Sequence, residues 1–142
     1  MGVGFHVGYD YYEVGHSSFL YSFFSSIAYH LEHKQWGSRF PVIMRELYDG
    51  KLNPQNVDQA IAELKTIQEE LKEFRPDQVI WDFEDLSAQP PWGDRISSEI
   101  TDLSNYYVTS DGKDLISVLF EALEQTKRVN QRCGKPIPLE IM

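Results

Sequence analysis

The stretch VGFHVGYDYYEVGHSSFLYSFFSSIAYHL, residues 3–31, changes its hydrophobic period partway along. Val3, Phe5, Val7, Tyr9 and Tyr11 alternate with Gly4, His6, Gly8, Asp10 and Tyr12, the period of a half-buried strand. The glycines here suit the close approach of a neighbouring element, because no Gly-rich turn leads from this strand into a helix as a dinucleotide site requires. After Gly15 the spacing lengthens. Phe19, Phe23, Ile27 and Leu31 recur every four residues with Leu20 and Phe24 beside them, which predicts a mostly buried helix capped by Ser17 or Ser18 and ending near Gly37. A strand followed by a buried helix predicts an α+β domain.

Further along, Pro41 opens a short second helix, Val42 to Tyr48, stopped by Asp49-Gly50. Asn53-Pro54 begins a third. Its apolar positions are Val57, Ile61, Leu64, Ile67, Leu71 and Phe74, with Glu63, Lys65, Glu69, Glu70, Lys72 and Glu73 assigned to the outer face. Gln78 to Phe83 reads as a short strand, Pro90-Pro91-Trp92-Gly93 as a loop, residues 96–103 as helical turn or loop, and Asn105 to Thr109 as another strand. Ser110-Asp111-Gly112 starts a last helix through Leu115, Val118, Leu119, Ala122 and Leu123 towards Arg128 or Arg132. Ile137 to Ile141 is an edge strand or a loose tail. The expectation is one domain over residues 1–142: a small mixed or antiparallel sheet packed against about four helices.

Composition narrows the function classes. The chain has 142 residues, 42% of them hydrophobic and 13% aromatic, enough for one buried core. No run approaches a membrane span, and the amino terminus has neither the basic and apolar regions of a secretion signal nor a Ser or Thr at residue 6 for myristoylation. The single cysteine, Cys133, lies in a basic, polar tail with no base or partner nearby, which suits a reducing, cytoplasmic setting.

Twenty-two acidic residues against 13 basic ones give a formal charge of −9. Residues 54–110 hold almost all of it, with twelve acids against Lys65, Lys72, Arg75 and Arg95. Such a surface repels nucleic-acid phosphates and steers basic proteins inward.

Chemistry-bearing patterns are sparse. His30 and His33 stand at i and i+3, but no third ligand follows at a metal-site spacing, so no metal or cofactor is assigned. Asp82 and Glu84 share a face if residues 78–83 are a strand, and with Asp85 they offer carboxylates for acid–base work or magnesium. No second half of a hydrolase accompanies them, and nucleophile-elbow, phosphate-loop and zinc-helix patterns are absent, so no catalytic residue is assigned. Trp81 reads as core. Trp92, in a loop amid acids, reads either as a binding anchor or as a lid on the core. Asp82, Glu84, Asp85, Trp92, Asp94, Glu99 and Asp102 therefore form the candidate partner-binding set.

Several stretches in order, Ser17–Ile27 (SSFLYSFFSSI), Gly37–Tyr48 (GSRFPVIMRELY), Gln89–Gly93 (QPPWG), Ile100–Tyr106 (ITDLSNY) and Thr109–Leu115 (TSDGKDL), resemble the immunity protein 70 family of bacterial polymorphic-toxin systems. The residues beyond Arg128 have no place in that pattern. The resemblance implies an antidote made beside a secreted toxin, often a nuclease carrying an LXG export domain, that protects the producer by binding the toxin's effector domain. It brings no catalytic residues. An acidic adaptor for some other basic protein, or a small hydrolase using Asp82, Glu84 or His30, are the competing functions.

Overall fold

The computed structural model describes residues 2–132 and 135–142, so Cys133 lies outside the described residues. The alternating segment is not one strand but a hairpin of β1 (Gly2–Val7) and β2 (Asp10–His16). Gly8, at φ +59°, and Tyr9 form the two-residue turn, and tight hairpin turns of this length need such positive φ values. Phe5 and Val7 are fully buried, but Tyr9 is fully exposed at the tip and Tyr11 is exposed, so neither tyrosine joins the inner row. Tyr11 pairs across the hairpin with His6, ring centroids 4.4 Å apart. Its ring also fills the space that a side chain at position 4 would need, which makes Gly4 a close-approach glycine.

The sheet is antiparallel throughout, in the order β2-β1-β4-β3, with β3 at Lys51–Leu52 and β4 at Leu139–Ile141. The carboxyl-terminal segment is thus neither an edge strand nor a loose tail. It fills the interior position: Leu139 is opposite Val7 on one side and Leu52 on the other, and is fully buried. Without it β1 would expose a row of unpaired N–H and C=O groups over a hydrophobic face.

The predicted helices form, with corrected caps. α1 (Ser17–Ser26) runs on into π-helical turns at Ile27–Leu31, and Phe23 and Ile27 are fully buried. Its cap is His16 rather than Ser17 or Ser18: the ring Nδ1 accepts from Ser18 N at 3.1 Å, as the chain leaves β2 in an extended conformation. Pro41 precedes π-helical turns at Val42–Leu47. A 3₁₀ turn at Pro54–Asn56 leads into α2 (Val57–Leu71), which stops short of Phe74. α3 (Leu115–Arg132) is capped by Asp114, whose carboxylate accepts from Ser117 N at 3.0 Å. α3 packs on β1, β2, β4 and α2, and α1 packs on β2.

Glu63 does not belong to the outer face of α2. It is buried, and its carboxylate accepts from Ile43 N at 2.9 Å, Val42 N at 3.3 Å and Gln59 Nε2 at 3.0 Å, capping the turns that follow Pro41. The two strands expected between α2 and α3 are absent as well. Residues 105–109 contribute a single bridge, Val108 to Asp114, and residues 78–83 carry only the end of a 3₁₀ turn, Pro76–Gln78. The sheet has no vacancy beside β1, since β2 and β4 occupy both its edges. Residues 79–110 instead form an irregular strap laid across α1.

Candidate functional site

Three buried serines on one flank of α1 do for the strap what a neighbouring strand does in a sheet. Ser22 Oγ donates to Ile80 O at 2.8 Å, Ile80 N donates to Ser26 Oγ at 3.0 Å, and Phe83 N donates to Ser25 Oγ at 3.1 Å. Tyr107 closes the network from the far end of the strap: its hydroxyl lies 2.8 Å from Ser26 Oγ and 3.0 Å from Ser22 Oγ, and donates to Ser22 O. Burial holds this phenol's pKa far above its ordinary value, so it stays a neutral hydrogen-bonding group. Leu103 N adds a bond to Phe74 O at 3.0 Å.

Both strap tryptophans are half-buried, so Trp81 is not a full core residue. They meet edge to face, centroids 5.3 Å apart. Trp92 also faces Phe19 and Tyr106, and its indole N–H donates to Tyr106 Oη at 2.9 Å. Trp92 is a lid over the core with one flank left to solvent.

The candidate carboxylates spread along the strap. Asp82 and Glu84 lie near Tyr21 at the start, with Asp85 next in the chain; Asp94 borders an opening lined by Arg75, Asp77 and Tyr106; Glu99 and Asp102 flank a turn organised by Asn105. Three of them support local turns. Asp82 accepts from Glu84 N at 2.9 Å, Asp85 from Ser87 N at 3.2 Å, and Asp102 from Ser104 N at 2.8 Å and from the Ser104 hydroxyl. The side chains of Glu84, Asp94 and Glu99 make no hydrogen bond among the described residues, and none of the six acids has an ion-pair partner there.

Sequence reasoning missed the aromatic residues beside Asp82 and Glu84. A cleft of about 480 Å³ lies between Tyr21, Phe24, Tyr48 and Trp81, with Asp82 on its lining. Tyr21 and Tyr48 also wall a second cleft with Trp36, Phe83 and Glu84. Tyr21 stands off the Phe19–Phe23–Ile27 stripe, which was the available signal for an aromatic on the exposed flank of the helix. Burial first, then the nearby carboxylates, raises the pKa of both phenols: Asp82 and Glu84 act on Tyr21, Glu84 and Asp49 on Tyr48.

The histidines are engaged elsewhere. His30 Nε2 lies 2.6 Å from Gln78 O, His16 caps α1, and His33 is exposed. Among the described residues no group of three or more His, Cys, Asp or Glu side chains is arranged to hold a metal ion, and no helix is long and apolar enough to cross a membrane.

No curated protein and no solved structure matches the chain. The family model described as Immunity protein 70 matches residues 5–133, from within β1 through all three long helices and the whole strap, and so extends past Arg128, where the resemblance read from the sequence ends. The chain belongs to the immunity protein 70 family, whose members are immunity proteins acting on a cognate toxin and are generally not enzymes.

Proposed function

We propose that the protein neutralises its toxin by docking a basic effector domain, of the nuclease type exported behind an LXG domain, onto the strap in the cytoplasm of the producing cell. Asp82, Glu84, Asp85, Asp94, Glu99 and Asp102 supply the attracting field, and Trp92 supplies an anchor among them. The observation that carries this is the lack of compensation: seven acids and one arginine, Arg95, occupy residues 76–110, and no cation among the described residues pairs with any of those six acids. A nuclease needs a basic groove for its substrate, and an uncompensated carboxylate surface draws such a groove in, raising association towards about 10⁸ M⁻¹s⁻¹ at low salt. The protein supplies no turnover of its own in this scheme.

The test is stopped-flow binding of the cognate toxin domain at low and high salt. Reversing Glu84 and Asp85 to lysine is expected to slow association about tenfold at low salt and flatten its salt dependence. Trp92→Ala is expected to speed dissociation, with a loss of about 2 kcal/mol at a central anchor. Because Trp92 also lids the core, circular dichroism must show each variant folded. Wild-type kinetics in folded variants of both kinds would move the toxin to another face.

A further inference from the structure

The first aromatic cleft has a lining that charge steering alone does not require. Its volume of about 480 Å³ falls within the roughly 300–1,000 Å³ of built ligand sites. Tyr21 and Tyr48 stand splayed, 42° between their planes and 6.2 Å between centroids, with Phe24 and Trp81 completing the aromatic walls; Asp82 supplies the one charge on the lining, where Ser17 and Ser18 are its other polar residues. No Lys, Arg or His lines it among the described residues. Arg45 borders only the adjoining cleft, where its side chain lies along Gly37.

Each class of guest has a different consequence. An apolar side chain would desolvate Asp82 without pairing it, and an anion would meet the negative faces of the rings as well as the carboxylate. A compact ammonium keeps its own hydration. A guanidinium stacks flat on a ring while its N–H fork reaches a carboxylate, and of Asp82 only Oδ1 is engaged, by Glu84 N. Burial first raises the pKa values of Tyr21 and Tyr48, and the carboxylates of Asp82 and Glu84 at the same spot add to it. We infer that this cleft receives an arginine side chain of the toxin, stacked on the aromatic wall and forked to Asp82. This rests on the toxin-docking proposal and names the anchor point within it.

The experiment titrates the full chain, by ¹H–¹⁵N NMR, with N-acetyl-arginine amide and with its neutral isostere N-acetyl-citrulline amide. Saturable shifts are expected at the Trp81 indole and at Tyr21 and Tyr48, with affinity for arginine at least about threefold above that for citrulline. Asp82→Asn keeps the turn acceptor for Glu84 N, so it should fold normally, and it should lower arginine affinity about threefold or more; Tyr21→Leu should do the same. Equal response to citrulline, undiminished binding by Asp82→Asn, or shifts confined to another face would overturn the inference. The same two variants against the toxin domain separate the proposals. A toxin held equally by wild type, Asp82→Asn and Tyr21→Leu removes the cleft and leaves docking on the strap intact. A toxin that wild type fails to bind removes the docking proposal, and the arginine titration still decides the cleft.

Discussion

α2 and the strap carry the same sign of charge and use it in opposite ways. On α2, Asp58 pairs with Lys127 at 2.9 Å, Glu69 with Lys72 at 3.0 Å, and Glu70 takes a two-pronged contact from Arg39, both bonds 2.7 Å, while Glu63 is buried against backbone N–H groups. On the strap, Asp82, Glu84, Asp85, Asp94, Glu99 and Asp102 meet no cation among the described residues. Two of the cations on α2, Arg39 and Lys127, come from distant parts of the chain. Net charge therefore does not locate the field; the cations that the fold delivers to each acid do.

The contrast between body and strap can be broken at several levels. Phe23→Ala sets the scale of the helical body: fully buried, it should cost about 3–5 kcal/mol in chemical denaturation. An unchanged midpoint would place that stripe outside the core. Glu63→Ala should come next, at about 2–4 kcal/mol, because Val42 N, Ile43 N and Gln59 lose their shared acceptor in a buried site. Glu84→Gln on the strap should lie within about 0.5 kcal/mol of wild type. Similar losses in these two variants would show that acids on helix and strap serve alike.

Ser26→Ala tests the attachment of the strap. It removes the acceptor for Ile80 N and a partner of Tyr107, and should cost about 1–3 kcal/mol, with a shift in tryptophan emission as Trp81 moves. Reversal of Glu69 and Glu73 to lysine should change toxin association less than about twofold, against the tenfold expected for the strap pair. A larger effect there would relocate the docking face.

The smallest effect belongs to pH. Glu70 has its pKa lowered, chiefly by the hydrogen bonds from Arg39, so the folded state keeps it ionised where the unfolded chain would bind a proton. Its contribution is present above the ordinary value near 4.5 and fades as pH falls through the depressed folded value. Both side chains are more than a third exposed, so solvent screening leaves under about 1 kcal/mol. Denaturation of Arg39→Gln and wild type should diverge above pH 4.5 and converge in acid; divergence that persists in acid would assign the loss to packing.

Periodicity made the three long helices legible, because amphipathic spacing and end signals are local properties, met within a few residues of each position. Asp114 and His16 as caps differ from the predicted ones by only a few residues, for the same reason. The acidic middle of the chain was equally plain from composition, whereas the likeness to an immunity-protein family rested on ordered stretches such as Gly37–Tyr48 and Gln89–Gly93. What only the tertiary structure decided is where extended segments find hydrogen-bond partners and which charges find each other. Gln78 to Phe83 has the composition of a strand but meets three helix serines instead of a sheet edge. Leu139 to Ile141, three residues with no periodicity of their own, enters the sheet because β1 and β3 leave a gap of one strand between them. Tyr21, Tyr48 and Trp81, from three separate elements, become one cleft through the same long-range packing. A helix satisfies its backbone within itself, so its sequence foretells it, whereas a strand, an ion pair or a binding cleft is completed by residues far away in the chain.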